Sequence, residues 1–244
     1  MRRYLSSPLF LFIMGMPVFF LGCNPTLTKL SAFPKMYEEP PLSVLVLPPL
    51  NETTAAEATD YYSTTILEPM ALKGFYVYPI EVVFDILKQE GFYDSKMLLS
   101  VPVKKYREYF GADAVLYIRL LKWDKSYYVV GGNVTVSVDF QLVSAITGAV
   151  LWQYNGTITL DTSGGSGGQS GLAGLAVKLV TTAIKTASAD YLPLAKDANI
   201  KALTSMPYGK YNSEFLMDKE EEIDVETMNK ADIKGDQENK GQKQ

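Results

Sequence analysis

Two stretches, Ser43-Val44-Leu45-Val46-Leu47 and Ala114-Val115-Leu116-Tyr117-Ile118-Arg119-Leu120-Leu121, are apolar at nearly every position rather than at alternate ones. Successive side chains of a strand point to opposite faces, so such a run must be covered on both sides. A chain that carries two of them has to lay helices on each side of a sheet in which these strands are central. The first run is closed by Pro48-Pro49, which cannot continue a ladder.

Between the runs the periodicity turns helical. Ala58, Tyr62 and then Ile66 or Leu67 recur at three- and four-residue spacing within residues 55–67, and Pro69 is expected to end or kink that helix. Gly74 followed by Phe75-Tyr76-Val77-Tyr78-Pro79 reads as a turn and a second strand. Val82, Val83, Ile86 and Leu87 make an amphipathic helix closed by Gly91, and Val103–Phe110 makes a third, capped by Gly111. Further on, Val134, Val136, Val138, Phe140 and Leu142 alternate with Thr135, Ser137, Asp139 and Gln141, the pattern of a half-exposed antiparallel strand. Thr147-Gly148 supplies a hairpin turn and Val150–Tyr154 returns. The expected fold class is α/β, with a mixed sheet of about five strands packed with helices. A Gly/Ser-rich stretch, 163–171, reads as linker rather than phosphate loop, since no Gly-Lys-Ser/Thr closes it. Leu172, Leu175, Ala176, Leu179, Val180, Ala183 and Ile184 give a helix with an apolar stripe for the sheet.

The chain's two ends differ from this body. Arg2 and Arg3 precede an apolar run, Leu9–Leu21, that ends at Gly22-Cys23, the layout of a secretory signal peptide. Phe20-Leu21-Gly22-Cys23 resembles a bacterial lipobox, which would place a lipid on the Cys23 thiol and make Cys23 the mature N-terminus. The run is short of the roughly 20 residues a spanning helix needs, and Pro17 interrupts it. The organisation expected is a signal peptide over 1–22, a flexible tether over 23–41, an α/β domain over 42–212 and a disordered charged tail over 213–244. Prolines at 25, 34, 40 and 41 motivate the tether, whose eighteen or so residues would reach at most about 60 Å. Asn24, standing where inner-membrane retention would want aspartate, favours the outer membrane, and the periplasmic face is the expected side.

Composition excludes more than it includes. There is no histidine and Cys23 is the single cysteine, so histidine-based triads, Cys-His pairs and histidine metal sites are ruled out. No catalytic residue, metal or cofactor is expected. From Asp218 onward nine acids stand against five lysines, so the tail alone accounts for the net charge of −4. The body is near neutral and offers no basic field for nucleic acid.

Several motifs in order carry a resemblance. Leu45-Val46-Leu47-Pro48-Pro49-Leu50-Asn51, Gly74–Pro79, Tyr109–Ile118, Leu142-Val143 through Thr147-Gly148 to Leu151-Trp152, and Pro207-Tyr208-Gly209 resemble signatures of a family of bacterial lipoproteins of unknown function, the neisserial genome-derived antigen type. The match spans about residues 42–212. Ser144 departs from the pattern, since the family commonly has an aspartate before the hairpin turn. The resemblance implies a fold similar to the amino-terminal domain of TolB and the periplasmic domain of the curli secretion channel CsgG. It also implies association with a CsgG-like protein and a second small lipoprotein, and it implies no catalytic residues.

The expected role is therefore non-enzymatic: an outer-membrane lipoprotein, held to membrane lipid through acylated Cys23, that docks in an envelope secretion or surface-assembly complex. The partner contact is expected at Trp123, Tyr127 and Tyr128, which cluster aromatics at a hairpin end. An activator of a peptidoglycan synthase and a subunit of a secretion pore are the alternatives, and self-association into a homo-oligomer stays open. A lone strand carboxylate such as Asp113 or Asp139 reads as structural rather than as a general base.

Overall fold

A computed structural model describes residues 27–128, 131–161 and 191–223. Its centre is a mixed six-stranded sheet in the order β3-β1-β4-β5-β6, with β2 joining β4 beyond the end of β1. The strands are β1 (Ser43–Val46), β2 (Leu50–Asn51), β3 (Tyr76–Val77), β4 (Ala114–Tyr128), β5 (Gly131–Ser144) and β6 (Val150–Asp161). β1 runs parallel to β3 and β4, whereas β4, β5 and β6 form an antiparallel meander. Leu45 pairs with Val115 and Val46 with Leu116, so the two apolar runs lie side by side at the middle of the sheet.

Each face of that pair is covered by its own helices. On one face lie α3 (Ala58–Leu72) and the helix that we number α7 (Tyr191–Thr204). They enclose Val44, Val46, Leu116, Ile118, Phe140 and Trp152 in the larger core. On the other face α4 (Ile80–Gln89), α5 (Ser95–Leu98) and α6 (Val103–Phe110) bury Leu45, Leu47 and Val115 beneath Val83, Leu87, Leu98 and Tyr106. Two-sided burial of consecutive residues is what the unbroken apolar runs require.

Local signals hold at the joints. Gly111 adopts φ 74° after α6 and donates its N–H to the Arg107 carbonyl, a left-handed cap that a β-carbon would strain. Gly148 takes φ 79° in the β5–β6 turn. Ser144 does the capping expected of the aspartate it replaces: its Oγ accepts from the Ile146 and Thr147 amides at 3.3 and 3.1 Å. Pro69 does not end α3, which runs three residues further. Its missing N–H falls in the last turns, where burial of Pro69 and Met70 against the core outweighs one lost backbone bond.

Both ends of the domain differ from expectation. Residues 28–38 are not tether. They form α1 (Lys29–Ala32), opened by a Thr28–Ser31 capping box, and α2 (Pro34–Glu38), which starts on a proline. Proline is tolerated at that first helical position because its absent N–H has no intrahelical partner there. Phe33 and Met36 anchor the pair in the larger core, the Phe33 ring 6.5 Å from that of Trp152. The charged tail likewise begins later than expected, because residues 213–223 pack back on this N-terminal segment, burying Asp218 and Ile223. Cys23, the Gly/Ser-rich stretch 163–171, the helix expected over 172–184 and residues 224–244 lie outside the described residues.

Candidate functional site

The three-helix layer covers only part of its face. It shields β1 and the first residues of β4, and leaves the polar rows of β4, β5 and β6 facing a cleft of about 490 Å³. Strand alternation builds the floor. Tyr117, Gln141 and Gln153 are register partners across the three strands, and Arg119, Asp139 and Asn155 form the next row. Leu98 of α5 and Leu99 just after it, with Leu47 and Pro48 after β1, make an apolar wall.

Arg119 organises the cleft. Its Nη2 and Nε donate to Glu52 Oε1 at 2.8 and 3.2 Å, and its Nη1 lies 3.4 Å from Asp139 Oδ2. The hydrogen bond to Glu52, followed by the charges of Glu52 and Asp139, raises the guanidinium above its ordinary value. β2 places Glu52, since Leu50 pairs with Arg119 and the Glu52 amide donates to the Leu120 carbonyl. Asn155 Nδ2 reaches Asp139 Oδ1 at 3.4 Å. Half-exposed pairs of this kind contribute at most about 1 kcal/mol each, so the network orients side chains more than it stabilises the fold.

The chemistry offered is recognition. Three carboxamides, a paired arginine and a tyrosine phenol whose pKa burial raises can exchange hydrogen bonds with a polar surface. Among the described residues no group of three or more Asp, Glu, His or Cys is placed to hold a metal. Asp113 is structural. Burial works to raise its pKa, but hydrogen bonds from Arg107, the Ser43 and Leu42 amides and the Ser43 hydroxyl outweigh that and hold it below the ordinary value.

The aromatic cluster expected at the hairpin end separates. Trp123 is a core residue, 2% exposed, with its ring edge-on to Tyr62 at 6.3 Å, so it offers almost no surface for docking. The cause is a β-bulge. Leu120 pairs with Val138 but Lys122 pairs with Ser137, so Leu121 is an extra residue and the core-facing position passes from Leu120 to Trp123. Tyr127 and Tyr128 pair with Gly132 and Gly131 at the tip of the β4–β5 hairpin, and only their backbone is described. Asp139 and Gln141 stand in the polar half of the β5 alternation, which the sequence marks as half-exposed, but the cleft itself and the residues Glu52, Gln153 and Asn155 carry no local signal.

Two family motifs meet at the opposite end of the sheet. The Gly209 amide donates to the Lys73 carbonyl at 2.8 Å and the Tyr211 amide to the Gly74 carbonyl at 3.0 Å. A β-carbon on Gly209 would overlap the Gly74 carbonyl, and one on Gly74 would overlap the Asn212 backbone. Both glycines are needed for backbones to approach this closely.

With this geometry in view, the comparisons are specific. Residues 32–210 match the family model "Putative lipoprotein GNA1162-like", and the chain belongs to that family of lipoproteins. It is 35% identical over 121 residues to "Putative lipoprotein NMB1124/NMB1162" of Neisseria meningitidis serogroup B, an overlap of 50% of this chain and 56% of that protein. The chain thus spans little more than half the length of this curated relative. The crystal structure of lipoprotein GNA1162 from Neisseria meningitidis superposes with a TM-score of 0.49 at 33% identity, covering 59% of this chain and 98% of that one. The LpoB C-terminal domain from Salmonella enterica superposes with a TM-score of 0.36 at 20% identity, covering 54% and 98%. No function is transferred from either superposition.

Proposed function

We propose that the protein is a non-enzymatic lipoprotein of the outer membrane, anchored through acylated Cys23 on the periplasmic side, that docks an envelope partner on the open polar face of β4–β6. The observation that carries this is the cleft, a polar patch beside the part of the same sheet face that α4–α6 cover. A face built of Gln141, Gln153, Asn155 and the Arg119 network, walled by Leu98 and Leu99, has the mixed character of a non-obligate protein interface. The partner class we favour is a secretion or surface-assembly complex containing a CsgG-like protein and a second small lipoprotein, with the Tyr127–Tyr128 hairpin tip as a further contact.

The two alternatives fare less well. A pore would need the β4–β5 hairpin to face lipid, yet Val136, Val138 and Phe140 are buried in the α3-covered core. An activator of a peptidoglycan synthase needs a tether that approaches the wall. The domain is already pinned at Leu27, four residues beyond Cys23, which leaves at most about 14 Å of free chain.

The test is a mild-detergent pull-down of the acylated protein from its native membrane, run beside a Gln141→Lys/Gln153→Lys variant. Recovery of a CsgG-like protein with the unsubstituted chain and its loss with the variant is the expected result. A partner recovered equally by both refutes the cleft as the docking face. Recovery of a peptidoglycan synthase moves the assignment to the activator, and recovery of the chain alone moves it to a homo-oligomer.

A further inference from the structure

The first and last described segments, residues 27–30 and 218–223, meet in a clasp. The Ile223 amide donates to the Leu27 carbonyl at 2.9 Å, the Lys29 amide to Glu221 at 3.0 Å and the Leu30 amide to Lys219 at 3.1 Å. Beneath these bonds the Lys29 ammonium, 1% exposed, lies 3.3 Å from Asp218 and 2.7 Å from Glu221. Asp218 also accepts from the Tyr37 hydroxyl and the Tyr208 amide. Two ammonium groups lie over the Tyr208 ring, Lys29 at 4.8 Å and Lys73 at 4.4 Å from its centroid.

A residue held this firmly is a fixed point. Leu27 lies four residue steps beyond Cys23, a span of at most about 14 Å, so a lipid on Cys23 keeps the clasp end of the domain at the bilayer. The turn that leads into Asp218 supplies apolar surface there. Tyr211 is 68% exposed and Met217 78%, with Leu216 beside it at 39%. Leu216 sits at φ 64°, where it is the sole non-glycine residue with positive φ among the described residues. Asparagine or glycine would hold that backbone with less strain, so an apolar side chain there is unexplained by the turn alone. The turn is also anchored, through the Tyr211 amide on Gly74 and the Asn212 side chain on Leu72.

The geometry points to a second membrane contact. The Tyr211–Met217 turn rests in the interface of a zwitterionic lipid surface and seats the clasp end of the domain there. Tyrosine suits that position because its ring is amphipathic. Zwitterionic lipid is specified because Glu214, Glu220 and Glu222 outnumber Lys210 and Lys219 around the turn, and an anionic surface would repel them. β4 runs away from this end and β5 returns to it, where the Thr147 hydroxyl in the β5–β6 turn donates to Glu39 of the N-terminal segment. Fourteen residue steps along β4 place the hairpin tip about 45–50 Å off, free for a partner. The inference rests on acylation of Cys23, which is itself proposed above.

The experiment uses the full acylated chain in vesicles of phosphatidylethanolamine and phosphatidylcholine. Acylation occupies the one native thiol, so a fluorophore goes to Met217→Cys or, in a second protein, to Asp124→Cys on exposed β4. Doxyl lipids should quench the label at 217 several-fold more than the label at 124. Amide exchange over 211–217 in unsubstituted protein should slow several-fold on vesicles relative to Cys23→Ser protein, which carries no lipid. Equal quenching and unchanged exchange in protein that retains its acyl mass and floats with the vesicles would overturn the contact. Protein that lacks the acyl mass and does not float would overturn it by a different route, through failure of the anchor.

Discussion

Replacing Gly209 by alanine is expected to destabilise the domain by forcing two backbone segments apart. The reason is space alone. A β-carbon there would occupy the position of the Gly74 carbonyl, so residues 209–212 would have to move off residues 72–74. Three hydrogen bonds join those segments: Gly209 to Lys73, Tyr211 to Gly74, and Asn212 Nδ2 to Leu72 at 3.1 Å. At about 1 kcal/mol each their loss amounts to about 3 kcal/mol. Gly91 is the matched control. It takes φ +89°, but a methyl group added there would meet nothing within 4 Å, so Gly91→Ala carries only the left-handed backbone cost of about 1–2 kcal/mol. Urea denaturation followed by tryptophan fluorescence suits the comparison, since Trp123 and Trp152 are both buried. The midpoint should fall for both variants with unchanged slope, and further for Gly209→Ala. A Gly209→Ala protein as stable as the unsubstituted one, or no less stable than Gly91→Ala, would refute the close-approach argument.

Other outcomes follow from the core and the charged groups. Trp123→Ala should destabilise by about 3–5 kcal/mol in the same urea assay, because a 2% exposed ring is removed; a loss of partner binding with stability unchanged would restore it to the surface. Burial, and then the charge of Lys29, push the Lys73 ammonium from 10.5 down to about 8 in the folded chain. The unfolded chain binds the extra proton between those values, so stability from this group rises with pH from about 8 to 10.5. Lys73→Met should remove that rise, and parallel stability profiles for the two proteins would contradict the assignment. Asp113 is held below its ordinary value, so its contribution is present above the unfolded carboxylate pKa of about 3.9 and is lost as pH falls through the folded one. Arg107→Ala takes away one of the donors that lower it, and the acid-unfolding midpoint should move to higher pH.

What the sequence made legible was everything decided within a few residues. Consecutive apolar positions at 43–47 and 114–118 required covering on two faces, and the structure covers them with α3 and α7 on one side and α4–α6 on the other. Gly111 and Gly148 stand at left-handed positions that their neighbours announce. What was not legible depended on partners far along the chain. Nothing near Leu121 marks the bulge, which arises from how β4 fits β5, and the one-residue slip carries Trp123 from the outer face to the core. Leu50-Asn51 is too short to read as a strand and exists because the edge of β4 beyond β1 is open to it.

The clasp is the sharpest case. Lys29 lies among prolines that spell tether, and Asp218 opens a run of acids that spells disorder, yet 189 residues apart in sequence they form a buried ion pair. Neither would be buried alone, since an unpaired charge in the interior costs several kcal/mol. Each segment is ordered because the other is present, and composition taken one window at a time cannot register that dependence. Its consequence is mechanical. Order at Leu27 shortens the link to Cys23 from the eighteen or so residues read as tether to four residue steps, so the acylation proposed above would leave the domain a reach of at most about 14 Å in place of about 60 Å.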